Sequence, residues 1–136
     1  MQFETKIAVV LRDDLAVWQK ANVTAFLVSG IAGTAPESVG ERYGDASGNS
    51  YLPMFRQPVL VLVADAAGLR RAYERAMQRG VELAIYTHEL FATGHDDANR
   101  AAVAAVPAEE LDLVGIAMRA DRKLVDKVVD KLRPHP

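Results

Sequence analysis

The segment Lys6–Leu15, KIAVVLRDDL, constrains the fold more than any other. An apolar run, Ile7 to Leu11, stops abruptly at Arg12-Asp13-Asp14, and a long apolar helix pattern follows from about Val17 to Ala32. A run of that length bounded by charge reads as a buried strand. It delivers Arg12, Asp13 and Asp14 to the lip of a sheet, beside the start of a helix. In open α/β sheets the mouth at the carboxyl ends of the strands is where ligands sit. The chain therefore marks a place for a site before it says what the site does.

The remaining pattern alternates. Trp18, Ala21, Ala25, Phe26 and Val28 of the first helix face one way, with Val23, Leu27, Gly30 and Ile31 widening the stripe. A helix apolar over so much of its circumference is expected to be covered on most sides, by a second layer or a partner subunit. Residues 34–50 carry no periodic pattern, and Tyr51–Phe55 reads as a short edge strand broken by Pro53. Pro58–Ala64 is a continuous apolar run suited to a central strand covered on both faces. Asp65 caps a helix that keeps Leu69, Ala72, Tyr73, Ala76 and Met77 in register and closes at Gly80. Val81–Tyr86 is a third strand. Residues 87–106 are helical again, interrupted at residues 93–97, and Leu111–Met118 is a fourth strand. Asp121 caps a last helix lined by Leu124, Val125, Val128, Val129 and Leu132. This order predicts one three-layer α/β domain over residues 1–136. Its four- or five-stranded sheet is expected to be mixed but mainly parallel, with helices on both faces.

Composition removes several classes. With 136 residues, 50% of them hydrophobic, the chain suits one domain with a sizeable core. The net charge of −2 offers no bulk attraction to nucleic acid. The absence of cysteine excludes disulfides, thiolate catalysis and cysteine-ligated metal. No signal-peptide pattern opens the chain and no apolar run reaches bilayer length, so a soluble, cytoplasmic protein without a membrane partner is expected.

At the lip, Arg12 can hold an anionic group while Asp14 orients it or acts as a base. Asn22 stands among apolar neighbours, so its amide requires a definite partner, a loop backbone or a ligand. The loop from Gly40 to Tyr51 places Asp45 and Tyr51 between turn-permitting glycines, as a lid or a surface hairpin. Thr87 and His88 follow the third strand, with His88 a candidate base. His88, Glu89, His95, Asp96 and Asp97 match no known metal-ligand spacing, and Asp96 and Asp97 read as helix-start residues. No metal or cofactor is expected. Arg71, Arg75 and Arg79 form a helix stripe interleaved with Glu74, a solvated face in pattern.

The opening Lys6, its apolar strand, Arg12-x-Asp14-Leu15 and an alanine-rich helix resemble type II peptidyl-tRNA hydrolases. Arg56-Gln57-Pro58 with its strand, and Val114-Gly115-Ile116-Ala117, resemble that family's later strands, and the element order agrees over nearly the whole chain. More closely, with Asn22, Asp45, Tyr51 and Asn99, the chain is similar to a bacterial group of uncharacterised small proteins thought to share the fold. The resemblance implies a type II peptidyl-tRNA hydrolase-like topology. It carries Lys6, Arg12 and Asp14 over as the strand lysine and the strand-end pair. Val17-Trp18-Gln19 replaces the family's glycine-rich turn, Pro58 stands where a lysine is expected, and its Asp-x-Gly-x-Thr loop does not follow Tyr86.

The leading expectation is a module that binds a small ligand or peptide through Arg12, Asn22, Asp45, Tyr51, Thr87 and Asn99. The alternative is a hydrolase of an ester or amide, with Lys6, Asp14 and His88 as its catalytic groups. A homodimeric interaction subunit, joined through the first helix, is compatible with either. tRNA is a disfavoured partner rather than an excluded one.

Overall fold

Alternation within the first strand sets the layers. The structure, a computed structural model, describes residues 3–136. In β1 (Thr5–Arg12) successive side chains point to opposite faces. Ile7, Val9 and Leu11 pack with Val23, Leu27 and Ile31 of α1 (Val17–Thr34). Ala8 and Val10 join a second core on the other face. There they meet Leu62 of β4 (Val59–Ala64), Leu69 and Ala72 of α2 (Ala66–Gln78) and Val125 of α4 (Arg122–Val128). Helices thus cover both faces, as the alternating pattern predicts. The Asp65 side chain accepts from the Gly68 N–H to start α2, and Gly80, at φ +67°, ends its turn.

A five-stranded mixed sheet runs β5-β6-β1-β4-β7, with β5 at Ala84–Thr87, β6 at Leu113–Asp121 and β7 at Arg133–Pro134. Its emphasis corrects the sequence reading. β1 and β4 are its parallel pair, while β1–β6, β5–β6 and β4–β7 are antiparallel, so the sheet is mainly antiparallel. The cause is the insertion of β6. β1, β4 and β5 all run the same way, as strand–helix alternation predicts, but β6 comes back between β5 and β1. After β5 the chain makes a 3-10 helix at His88–Ala92 and a short α3 (Asp96–Ala104). At about 1.5 Å per residue α3 spans far less than α1. The chain therefore re-enters the sheet from the rim where β5 left it.

Other differences are local. Tyr51–Phe55 is not an edge strand of the main sheet. Instead β2 (Tyr43–Gly44) pairs with β3 (Ser50–Tyr51) in a separate hairpin, and Val39 and Phe55 form an isolated bridge. The last helix stops at Val128, and Arg133–Pro134 adds to the edge of β4. β4 leaves Leu60 37% exposed, so it is not covered throughout. α1 is covered on one side only: Val23, Leu27 and Ile31 are buried, whereas Val17, Trp18 and Phe26 are 84%, 63% and 53% exposed. Among the described residues no helix is long and apolar enough to cross a membrane.

Candidate functional site

Because β1, β4 and β5 run together, their carboxyl ends share one rim with the start of β6. Arg12 ends β1 there. Its Nε donates to Asp14 at 2.6 Å, and one terminal nitrogen donates to Asp112 at 3.0 Å and to the Leu113 carbonyl at 3.3 Å. His88 at the end of β5 donates its backbone N–H to the Asp112 carbonyl at 2.9 Å. The guanidinium is thus committed to two carboxylates and a carbonyl, which leaves the rim with little pull on an anion. Burial opposes the charge on Arg12, but its bonds to Asp14 and Asp112 outweigh this and raise its pKa. The same bond to Arg12 holds the Asp14 carboxyl below its usual range.

That shift has a defined sign. A carboxyl whose pKa is lower when folded stabilises the fold above its unfolded value, about 4, and loses that contribution as pH falls through its folded value. Denaturant midpoints measured from pH 5 downward are expected to show an acid-side loss that Asp14→Asn reduces. Asp14 is largely exposed, so the effect is small and shrinks in high salt. An identical profile for both proteins rejects the assignment.

Beside the rim, between α1, β5 and α3, lies a cleft of about 340 Å³. Trp18, Asn22 and Phe26 follow one another a helical turn apart along α1, so two rings bracket the amide. Tyr86 of β5 forms the floor and is almost fully buried. Asn22 Nδ2 donates to the Tyr86 hydroxyl at 3.4 Å. Burial raises the Tyr86 pKa further above neutrality, and the neutral phenol can both donate and accept. Phe91 meets Trp18 and His88 edge to face and Tyr86 at a tilt, with ring centroids 5.9, 5.7 and 5.1 Å apart. On the far wall, Thr93 donates to Asn99 Oδ1. Asn22 Oδ1 and Asn99 Nδ2 make no hydrogen bond among the described residues, so an acceptor and a donor face the cleft. Rings with a few unspent polar groups are the usual lining of a small-molecule site.

The fold brings together some of the expected residues and scatters others. Asn22 and Asn99 line this cleft, and Arg12, Asp14 and His88 meet at the adjoining rim. Thr87 is buried beneath the rim, its hydroxyl unpartnered. Lys6 stands at the other end of β1, roughly 20 Å from Arg12 at the usual rise of a strand. There it pairs with Asp126 at 2.5 Å, so Lys6 and Asp14 cannot act on one substrate atom. Asp45 lies in the β2–β3 hairpin, where it accepts from the Asn49 amide at 2.9 Å and the Tyr51 hydroxyl at 2.7 Å. These bonds hold its carboxyl well below the usual range. Neither Asp45 nor Tyr51 lines the cleft. Trp18 and Phe26 read as core in the periodicity; their spacing of four residues on either side of Asn22 was the available signal. Among the described residues no group of three His, Asp or Glu is placed to hold a metal ion.

Fold and cleft together define a small mixed α/β protein with an aromatic recess at one edge of its sheet, bordered by Asp96, which is paired with Arg100. The chain belongs to the family of proteins of unknown function designated DUF2000, which it matches over residues 5–136. It is also similar to a solved structure, that of Atu0240, a protein of unknown function from Agrobacterium tumefaciens strain C58. The identity is 48%, the TM-score is 0.96, and the match covers 99% of this chain and 100% of that one. No curated protein matches the sequence.

Proposed function

We propose that this protein binds a neutral small molecule or peptide carrying an amide-like group in the cleft between α1, β5 and α3. The observation that carries this reading is the unspent pair, Asn22 Oδ1 and Asn99 Nδ2, set among Trp18, Phe26, Tyr86 and Phe91. An amide or a heteroaromatic lactam offers one donor and one acceptor in a plane. It can satisfy both asparagines while its flat face rests on the rings. A phosphate or carboxylate ligand finds no cation in this lining.

A thermal-shift screen of neutral amides, nucleobases and blocked dipeptides is the direct test, since a ligand that binds the folded state alone raises its melting temperature. Asn22→Ala is expected to weaken binding of the hits about tenfold, the scale of one buried hydrogen bond. Hits that bind equally well to Asn22→Ala would reject the cleft.

A second reading has its own observation. The outer face of α1, with Val17, Ala21 and Ala25, is exposed and uncharged. A second copy of the chain packing α1 against α1 would cover it. Sedimentation at micromolar concentration should then show a dimer that Ala25→Glu dissociates; a monomer throughout refutes the reading.

A further inference from the structure

β5 is an edge strand, paired with β6 on one side only. On its other side the backbone groups of residues 83–87 meet no hydrogen-bond partner among the described residues. Proteins usually blunt such an edge with charge, proline or a covering segment. Ala84-Ile85-Tyr86-Thr87 contains neither charge nor proline.

A cleft of about 520 Å³ runs along this open edge. It touches Ala84 and Tyr86, which turn toward α1, and also Ile85, which turns toward the opposite core. Only space lying over the outer edge of the strand reaches both sets. Phe26 and Leu27 of α1 wall one side, and Val103 and Ala104 of α3 wall the other. Arg100, at the border, is committed to Asp96 and Asp97, so the trough presents no free charge. It also shares Phe26, Tyr86, Leu90, Asp96 and Asn99 with the amide-lined cleft, making the two continuous.

We propose that β5 accepts an extended, neutral peptide as a sixth strand, seated between α1 and α3. Backbone hydrogen bonds to β5 supply affinity, and alternate apolar side chains pack on the two walls. One end of the peptide places a backbone amide against Asn22 and Asn99, so the inference rests on the binding reading above. The walls favour a peptide over a second copy. A lone extended chain needs only the space between Phe26 and Leu27 on one side and Val103 and Ala104 on the other, whereas a second copy would have to bring its own α1 and α3 to the same walls.

The probe is a pool of blocked, neutral octapeptides alternating threonine with valine, leucine or phenylalanine. Binding is read by amide hydrogen exchange and by proton–nitrogen NMR. Exchange at the outward-facing amides among residues 83–87 should slow at least tenfold on peptide addition. N-methylating every second peptide nitrogen should abolish binding in one register and spare it in the other, because only alternate groups of a strand face its neighbour. Ala104→Arg, an exposed change at the end of α3, should weaken peptide binding at least tenfold. Peptides that leave the outward-facing amides of residues 83–87 unprotected at millimolar concentration overturn strand addition, as does equal binding by both methylated registers. Protection that grows with protein concentration and without peptide also overturns it, in favour of self-pairing. If small amides still bind in an Asn22-dependent way, strand addition alone has failed; if Asn22→Ala changes no binding at all, the cleft reading has failed with it.

Discussion

Gly115→Ala is expected to lower the unfolding free energy by about 1–3 kcal/mol, the range for forcing one methyl group into a packed core. Gly115 lies in β6 opposite Tyr86 and directly beneath α1. A Cβ there would stand 2.7 Å from Val23 Cγ1 and 3.1 Å from Leu27 Cδ1. Both side chains are buried on the helix face that seats α1 on the sheet, so relief requires them to repack or α1 to lift. Any lift of α1 would also separate Asn22 from Tyr86 and open the cleft. Denaturant titration measures the loss, and chemical shifts around Asn22 report the displacement. Valine at this position should cost more than alanine. An alanine variant as stable as the parent would show that α1 sits on β6 loosely enough to admit a methyl group without cost.

Tyr86→Ala is expected to have the largest effect of any single change at the site, about 3–5 kcal/mol of stability, as for other buried aromatic residues cut back to alanine. Tyr86 is 4% exposed and packs edge to face on Phe26 and at a tilt on Phe91, at 5.8 and 5.1 Å between ring centroids. Its loss removes the floor shared by the cleft and the trough, and ligand binding should disappear with it. Tyr86→Phe separates the two contributions. It keeps the stacking and deletes only the hydroxyl that accepts from Asn22, so it should cost about 0.5–1.5 kcal/mol. Binding should weaken in Tyr86→Phe while the melting temperature falls by only a few degrees, far less than in Tyr86→Ala. If both variants unfold alike, the hydroxyl rather than the ring carries the stability, and the aromatic packing around Tyr86 contributes little.

Much of this arrangement is local in origin and was therefore legible. The apolar run of β1 and its charged stop place Arg12 and Asp14 at a strand end because period and charge are properties of consecutive residues. Asp65 and Asp121 cap their helices with side-chain bonds to N–H groups three and two residues on, so short-range spacing suffices to find them. Asn22 stood out by a similar argument, as an amide among apolar neighbours.

What consecutive residues could not settle was which elements lie side by side. The strand–helix alternation correctly implied that β1, β4 and β5 point one way. It could not reveal that β6 returns between two of them, because that depends on where a short α3 leaves the chain in space. The same return makes β5 an edge and brings Asn99 across from Asn22. It also carries Asp112 to Arg12, a hydrogen bond between residues 100 positions apart. Helical and strand periods are set over a few bonds by backbone sterics, whereas strand order and the cleft it creates emerge only when distant segments compete to bury the same apolar surface.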